Sequence, residues 1–328
     1  MKKKGLLCLL IAGMMVFSAC GNTGTDGGNS NFNDEVVMTI DGNEIMKSEY
    51  MVYLYTTTKS FTAVGQEDIW TMDFDGQTAD ELVAERTLKT LQSVVAANKY
   101  AKENNLTLTE EQKAEAVEAS NQFVLNIPEE DLQKMGVDEE KLIPFMEGSY
   151  MYSLVYQALA AECEVDEAEM AKYYEENKVQ MKDDYTLLDL DTIVLDNLET
   201  ANEVVAKARS GEDFDTLFNE YDIYKQSNQE DDGSLTLYKT QFASSFGVTD
   251  VPEAGTIMEP VLVDGVYFVI EVDAVTLPED SEIKTVAENS FKNLKQSEYS
   301  DARFEEMMAA QSVEFVEDVY AGLEKFHE

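Results

Sequence analysis

The spacing of apolar residues changes twice along this chain, and this change is the strongest constraint on its fold. Leucine and valine recur at helical spacing in a stretch that ends near Asn104. From Tyr185 to Asp196 the side chains alternate instead, which predicts a strand. After Pro278 a long amphipathic helix is predicted from Ile283 to Ala310. The pattern therefore predicts a helical domain that is interrupted by a compact α+β unit.

Local signals predict several individual elements. The stretch from Glu35 to Ile45 predicts a hairpin, and capping boxes that begin at Thr109 and Asp166 predict two helix starts. A short strand is predicted at Val313–Val316, and because it needs a partner we expect it to pair with Val36–Ile40. The other predicted elements are helices at 150–159, 198–208 and 214–221 and strands at 235–238, 258–263 and 266–272.

The first residues predict export. Lys2 to Lys4 precede a short apolar stretch, and Ser18-Ala19-Cys20 follows it, which is typical of a secretory signal with small residues at the cleavage point. This ending resembles the bacterial lipobox, which implies cleavage after residue 19 and lipidation of Cys20. A plain signal peptide with an incidental cysteine is the alternative. Residues 20–33 are mostly Gly, Asn, Thr, Ser and Asp, a composition typical of a flexible linker.

The chain is strongly acidic, with a formal net charge of -42 at pH 7. Such a surface repels nucleic-acid phosphates and anionic lipid headgroups, so we predict no nucleic-acid partner and membrane attachment only through the N-terminal lipid. The acidic residues could attract cations or basic clients, or could simply keep the protein soluble at a crowded surface.

Histidine and cysteine are too scarce for several kinds of catalytic centre. The only histidine is His327, one residue from the end, where we expect a frayed terminus. Cys163 is the only cysteine after the predicted lipidation site. A Ser-His-Asp triad, a Cys-His pair, a histidine-rich metal centre and an internal disulfide are therefore excluded from the folded body. We predict no cofactor and no metal.

Several motifs, in their order along the chain, resemble one known family, the parvulin-type peptidyl-prolyl isomerases carried on extracytoplasmic foldases of the SurA and PrsA kind. The motifs are TIDGNEI at 39–45, NLTLTEE at 105–111, VDEAEMAKYYEEN at 165–177, GEDF at 211–214, DGSL at 232–235 and GVYFVI at 265–270. The resemblance covers nearly the whole folded body. It implies an α+β protein in which a parvulin-like α+β domain is inserted into a mainly helical chaperone domain of the SurA N-terminal type.

The resemblance also implies domain boundaries, partners and a location. We expect a lipoprotein signal peptide at 1–19, a linker at 20–33, a chaperone domain at 34–182 plus 279–328, and a parvulin-like domain at 183–278. The implied partners are unfolded or proline-containing exported polypeptides. The implied location is outside the cytoplasm, at the bacterial cell membrane.

The chain departs from the family at the two histidines that parvulins place beneath the proline pocket. The matching positions are Thr192 and Phe268, and neither side chain can do the work of an imidazole. No catalytic residue is therefore assigned. The resemblance implies a peptide-binding or proline-binding pocket lined by Thr192, Tyr238, Phe242, Phe246, Met258 and Phe268. These side chains could equally be ordinary core residues of a small domain.

Three functions remain open after the sequence is considered. The preferred one is a membrane-anchored folding factor that binds unfolded exported chains and whose parvulin-like domain has lost its active site. Some of its 15 methionines could line the surface that binds these chains. The second is an active prolyl isomerase with a histidine-free pocket, since isomerisation requires only preferential binding of the twisted amide. The third is a solute-binding lipoprotein.

Overall fold

A computed structural model describes residues 32–225, 227–228 and 230–327. The predicted signal peptide, Cys20 and most of the predicted linker lie outside the described residues. The chain divides into two compact units: one takes the chain up to Cys163 together with Gln296–Glu328, and the other is Glu164–Lys295. The second unit takes in the predicted parvulin-like domain and, in addition, the helix before it and the start of the helix after it.

The first unit begins with a hairpin and continues as helices. Its elements up to Cys163 are β1 (Val36–Ile40), β2 (Asn43–Met46), α1 (Lys47–Gly65), a 3-10 helix (Glu67–Thr71), β3 (Asp73–Phe74), β4 (Gln77–Thr78), α2 (Ala79–Asn104), α3 (Glu110–Leu125), α4 (Glu129–Met135) and α5 (Glu139–Glu162). Helix α2 begins at a capping box formed by Thr78 and Glu81, and α3 begins at one formed by Thr109 and Gln112. The capping box predicted at Thr109 is therefore confirmed.

The second unit is an α+β unit built on an antiparallel sheet. Its elements are α6 (Glu167–Asp184), β5 (Leu187–Leu195), α7 (Leu198–Arg209), α8 (Phe214–Tyr221), β6 (Ser234–Tyr238), α9 (Lys239–Phe246), β7 (Thr256–Ile257), β8 (Val261–Val263), β9 (Val266–Thr276) and the first half of α10 (Asp280–Ala309). The strand order is β6-β5-β9-β7, and β8 also pairs with β9.

One predicted strand in this unit is wrong in its extent. Only the end of the strand predicted at 258–263 is a strand, β8, and Met258, Glu259 and Pro260 separate it from β7, which lies before the predicted range. Proline has no N–H to donate to a strand ladder, so Pro260 interrupts the pairing with β9. Helix α9 was not predicted.

The chain returns to the first unit through the end of α10, then β10 (Val313–Phe315) and α11 (Glu317–Ala321). Strand β10 pairs with β1 in antiparallel fashion, with Phe315 opposite Met38 and Val313 opposite Ile40. The predicted pairing of these two segments is confirmed. It gives a sheet of order β10-β1-β2 made from the first and last segments of the described chain.

Methionines fill the core of the first unit. Met38, Met51 and Met135 are fully buried, and Met146 is 4% exposed. They pack in one apolar cluster with Tyr50, Leu91 and Leu142. These four methionines are therefore core side chains and do not line a client surface.

The C-terminal residues are docked, so the expectation of a frayed terminus at His327 is wrong. Phe326 is 6% exposed and meets the Tyr55 ring edge-on at 5.1 Å between centroids. The His327 ring stacks on Trp70 at 3.8 Å, and its Nε2 lies 2.7 Å from Asp80 Oδ1. Aromatic burial and stacking tie the end of the chain to the first unit.

No helix in the described part of the chain is long and apolar enough to cross a membrane.

The docked terminus predicts a measurable contribution to stability. Phe326→Ala should lower the free energy of unfolding by about 3 kcal/mol, because it removes a buried aromatic ring. Glu324→Ala, at an exposed position nearby, should leave it within about 0.5 kcal/mol of the wild type. Urea unfolding followed by circular dichroism measures both values. Equal stability of the two variants would show that the terminus is not docked in solution.

Candidate functional site

The sheet of the second unit has two different faces. On one face, Leu188 and Leu190 of β5 and Ile270 and Val272 of β9 pack against α9. On the other face, Ile193, Leu195 and Val269 pack against α7 and α8. The change of face follows from the alternation of side chains along β5. The predicted pocket residues have to be assigned to one of these two faces.

Four of the predicted pocket residues lie together on the α9 face. Phe242 and Phe246 are one helical turn apart on α9, with ring centroids 5.2 Å apart. The Phe246 ring meets the Phe268 ring edge-on at 5.3 Å, and Met258 belongs to the same apolar cluster. We call Phe242, Phe246, Met258 and Phe268 the aromatic cluster.

The aromatic cluster is closely packed. Phe242 is fully buried, Phe246 is 7% exposed and Met258 is 9% exposed. A proline ring could reach Phe242 only if its neighbours moved, because packed interiors leave few voids. Sequence reasoning therefore selected side chains that lie together; three of them are buried, and Phe268 is partly buried.

The Thr192 hydroxyl makes a structural hydrogen bond. Its Oγ1 donates to the carbonyl oxygen of Gly233 at 2.9 Å, and its own N–H donates to the same oxygen at 2.9 Å. Gly233 has a φ of +79°, and a Cβ there would lie 2.6 Å from the carbonyl oxygen of Thr192. Gly233 of the DGSL motif is thus held tightly against β5, and the Thr192 hydroxyl already has a hydrogen-bond partner.

Tyr238 does not join the aromatic cluster. It lies opposite Leu187 in the β5–β6 ladder, its ring contacts the Tyr185 ring at 5.3 Å, and 41% of it is exposed. Its backbone N–H donates to Gln241 Oε1 at 2.9 Å at the start of α9. Tyr238 therefore lies at the exposed junction between β6 and α9.

A shallow depression next to the aromatic cluster was missed by sequence reasoning. It has a volume of about 540 Å³ and is lined mainly by apolar side chains, including Val248, Pro252, Met258, Pro260, Val261 and Leu262. Arg209 lies at its wall and donates to Glu259 Oε1 at 2.7 Å and to the Ile257 carbonyl at 2.8 Å. The available signal was two closely spaced prolines, Pro252 before β7 and Pro260 between β7 and β8. The depression could hold an apolar side chain or a proline ring.

Carboxylates gather on the opposite face of the sheet. Asp191 lies directly across from Glu271 on β9, and like charges in opposed positions destabilise a sheet. Partial burial, then the neighbouring Asp273 and Asp191, raise the pKa of Glu271. Partial burial, then Asp191, raise the pKa of Asp273. These carboxylates and Asp189 have no lysine or arginine at ion-pair distance among the described residues.

The chemistry available on the α9 face is limited by its residue types. The aromatic cluster carries no ionisable side chain, so it offers neither a general acid nor a general base. In the described ranges, no group of three or more His, Cys, Asp or Glu side chains is arranged to hold a metal ion. What this face can supply is apolar contact and removal of water from a bound amide.

The packing of Phe242 predicts how a truncation there should behave. Phe242→Ala should lower the free energy of unfolding by about 3–5 kcal/mol, because it empties a fully buried position. Tyr238→Ala should cost only about 1 kcal/mol, mainly through the loss of one aromatic contact. Chemical denaturation of both variants checks this, and a Phe242→Ala cost as small as that of Tyr238→Ala would mean that the cluster is an open pocket.

Because the pKa of Asp273 is raised, we predict that removing its charge stabilises the fold, and that the effect depends on pH. Since the folded state holds the Asp273 proton more tightly than the unfolded state, the charged form destabilises the fold at pH 7. Asp273→Asn should therefore raise the melting temperature by about 1–3 °C at pH 7. The gain should vanish as the pH falls below the raised pKa. Thermal melts at several pH values measure this, with Asp250→Asn on an exposed loop as the control. A gain that is independent of pH would contradict the electrostatic cause.

Comparison with known proteins finds distant relatives among the PrsA foldases. No protein-family model matches the chain. It is 23% identical over 291 residues to a foldase protein PrsA from Caldanaerobacter subterraneus, covering 85% of this chain and 87% of the relative. It is 25% identical over 244 residues to PrsA from Halalkalibacterium halodurans, covering 73% of this chain and 62% of that relative.

Among solved structures, the chain is similar to foldase protein PrsA from Streptococcus pneumoniae. The TM-score is 0.44 at 16% identity, and the match covers 73% of this chain and 92% of the other. The nearly full-length sequence match to the first relative agrees with the motifs along the chain and with the α+β unit that interrupts the helical one. Over most of its length, the chain is therefore distantly similar to PrsA foldases.

Proposed function

We propose that this protein is a membrane-anchored folding factor that binds unfolded exported polypeptides without relying on prolyl isomerisation. The observation that carries the proposal is the state of the parvulin-like face. The family's two histidine positions hold Thr192, whose hydroxyl donates to Gly233, and Phe268, which packs on Phe246. A sheet face that is filled with its own aromatic side chains contributes a stable scaffold. Binding of clients then depends on other surfaces.

The acidic exterior fits this role. A formal net charge of -42 keeps the folding factor soluble at high local concentration and apart from the anionic surface of the membrane. The same charge raises the rate of encounter with basic unfolded chains. The similarity to PrsA foldases gives no support to the solute-binding alternative.

The membrane anchor rests on the N-terminal sequence. Cys20 follows two small residues at the end of an apolar stretch, and a polar linker follows it. Lipidation at Cys20 holds the folded units outside the cytoplasm, beside the membrane and within reach of emerging chains. Replacement of Cys20 by Ser would release the protein from the membrane.

An active isomerase is a second candidate, and the depression beside the aromatic cluster favours it. The barrier to rotation about a peptide bond is about 18–20 kcal/mol, and an apolar surface that strips water from the amide lowers it. Leu262 lines the depression and is 59% exposed, so a charge placed there changes the depression while leaving the core intact.

Two assays on the same protein separate these functions. Light scattering follows the aggregation of reduced, unfolded lysozyme after dilution from denaturant, and we expect the chain at equimolar concentration to suppress it. NMR exchange follows the cis and trans forms of an Xaa-Pro peptide, and we expect no acceleration by a catalytic amount of protein.

If the protein accelerates cis–trans exchange, a matched pair of variants shows whether the depression is responsible. Leu262→Asp places a charge in the depression, and Leu277→Asp places the same charge at a position that is 67% exposed and does not line it. Acceleration that is lost only in Leu262→Asp would establish the isomerase and contradict the non-catalytic proposal. Failure to suppress aggregation, with the protein shown to be folded, would contradict binding of unfolded chains.

A further inference from the structure

Strand β6 forms one end of the sheet in the second unit, and within the described part of the chain it pairs only with β5. Two backbone bonds fix which of its groups face that partner: Lys239 N–H donates to Thr186 and Thr192 N–H donates to Gly233. In an antiparallel ladder the paired residues alternate, so Leu235 and Leu237 direct their backbone groups toward β5. The backbone groups of Ser234, Thr236 and Tyr238 therefore point away from the sheet.

Most of the outward-pointing N–H groups are already satisfied. Ser234 N–H donates to Asp232 Oδ1 at 3.1 Å, and Tyr238 N–H donates to Gln241 Oε1 at 2.9 Å. Among the described residues, the N–H and C=O of Thr236 and the C=O of Ser234 have no backbone or side-chain partner. Thr236 is exposed, so this short stretch of edge can accept a further strand.

The negative charge beside this edge favours some added strands over others. The hydroxyls of Ser234 and Thr236 donate to Asp191 and Asp189 at 3.0 and 2.9 Å, on the face where Glu271 and Asp273 also lie. An added strand would extend this face by one row. Its side chains on that face would meet carboxylates that have no cationic partner in the described part of the chain.

The opposite face of the edge is apolar. Leu235 is 37% exposed, and Leu237 packs on the α9 side of the sheet. A strand at this edge would therefore place alternate side chains over carboxylates and over leucine. A strand that matches both faces would therefore carry basic side chains on one side and apolar side chains on the other.

We propose that the free edge of β6 binds an extended segment of a basic polypeptide as an added antiparallel strand, with lysine or arginine over the acidic face and apolar residues over the leucine face. Thr236 exchanges both backbone hydrogen bonds with one residue of the segment, and the Ser234 carbonyl accepts a third. This inference rests on the proposed function and gives it a client chemistry: exported chains in which basic and apolar residues alternate.

The test uses the mature chain from residue 20, with Cys20→Ser so that it remains unlipidated. The probe is a capped, fluorescently labelled decapeptide of alternating Lys and Val, and fluorescence anisotropy measures its affinity. We expect it to bind at least about ten-fold more tightly than an alternating Glu and Val peptide, with an affinity that falls as salt is added. In the ¹⁵N spectrum the Thr236 amide should shift and exchange more slowly with solvent.

Thr236→Pro tests the edge itself. Because the N–H of Thr236 points away from β5, proline there removes no bond to β5 but blocks an added strand. We expect the affinity to fall at least about ten-fold, while Thr236→Val, which keeps the N–H, should bind within about two-fold of the wild type. An unchanged affinity in Thr236→Pro, with the variant shown to be folded, would overturn the proposal.

A second measurement leaves the protein unaltered. A Lys and Val peptide that is N-methylated at alternate residues keeps its charge but cannot donate to the Ser234 and Thr236 carbonyls. We expect it to bind at least about ten-fold more weakly. Equal binding of the methylated peptide would mean that charge alone attracts the segment, which overturns strand addition. If aggregation of unfolded lysozyme is still suppressed in that case, the proposed function stands and only this inference fails.

Discussion

The pairing of β1 with β10 is the interaction on which the rest of the architecture depends. It joins segments about as far apart in sequence as the described chain allows, and Val316 N–H extends it with a bond of 2.8 Å to the Val37 carbonyl. Asp41 reinforces it, since its Oδ1 accepts from Ser312 N–H at 3.0 Å. Closing so long a loop costs entropy, but that cost grows only slowly with loop length. The helical unit can therefore contain a large insertion and still close into one domain.

The second unit separates two properties on the two faces of one sheet. One face is filled by the aromatic cluster and α9, and it carries no ionisable side chain where the family has histidine. The other face holds carboxylates that have no cationic partner among the described residues, next to a partly free edge, and partial burial and mutual repulsion raise the pKa of Glu271 and Asp273.

Sequence reasoning predicted features that local patterns determine. The alternation in β5, the capping box at Thr109 and the amphipathic run of α10 are all visible in short windows. The docking of His327 on Trp70 was not predictable, because it depends on residues that are far apart in sequence. For the site, residue types identified the members of the aromatic cluster. Only the structure shows that Phe242, Phe246 and Met258 are buried, that Phe268 is partly buried and that Tyr238 lies outside the cluster.

The central claim is that the helical unit is one self-contained domain into which the second unit is inserted. The points of departure and return lie close together, since Tyr299 donates to Glu162 at 3.4 Å and the Tyr156 and Ser297 hydroxyls are 2.8 Å apart. The most direct test replaces residues 164–295 with a short Gly-Ser linker and follows urea unfolding by circular dichroism. The account predicts a helical protein with a single cooperative transition. An unfolded chain, or a gradual transition without cooperativity, would contradict it.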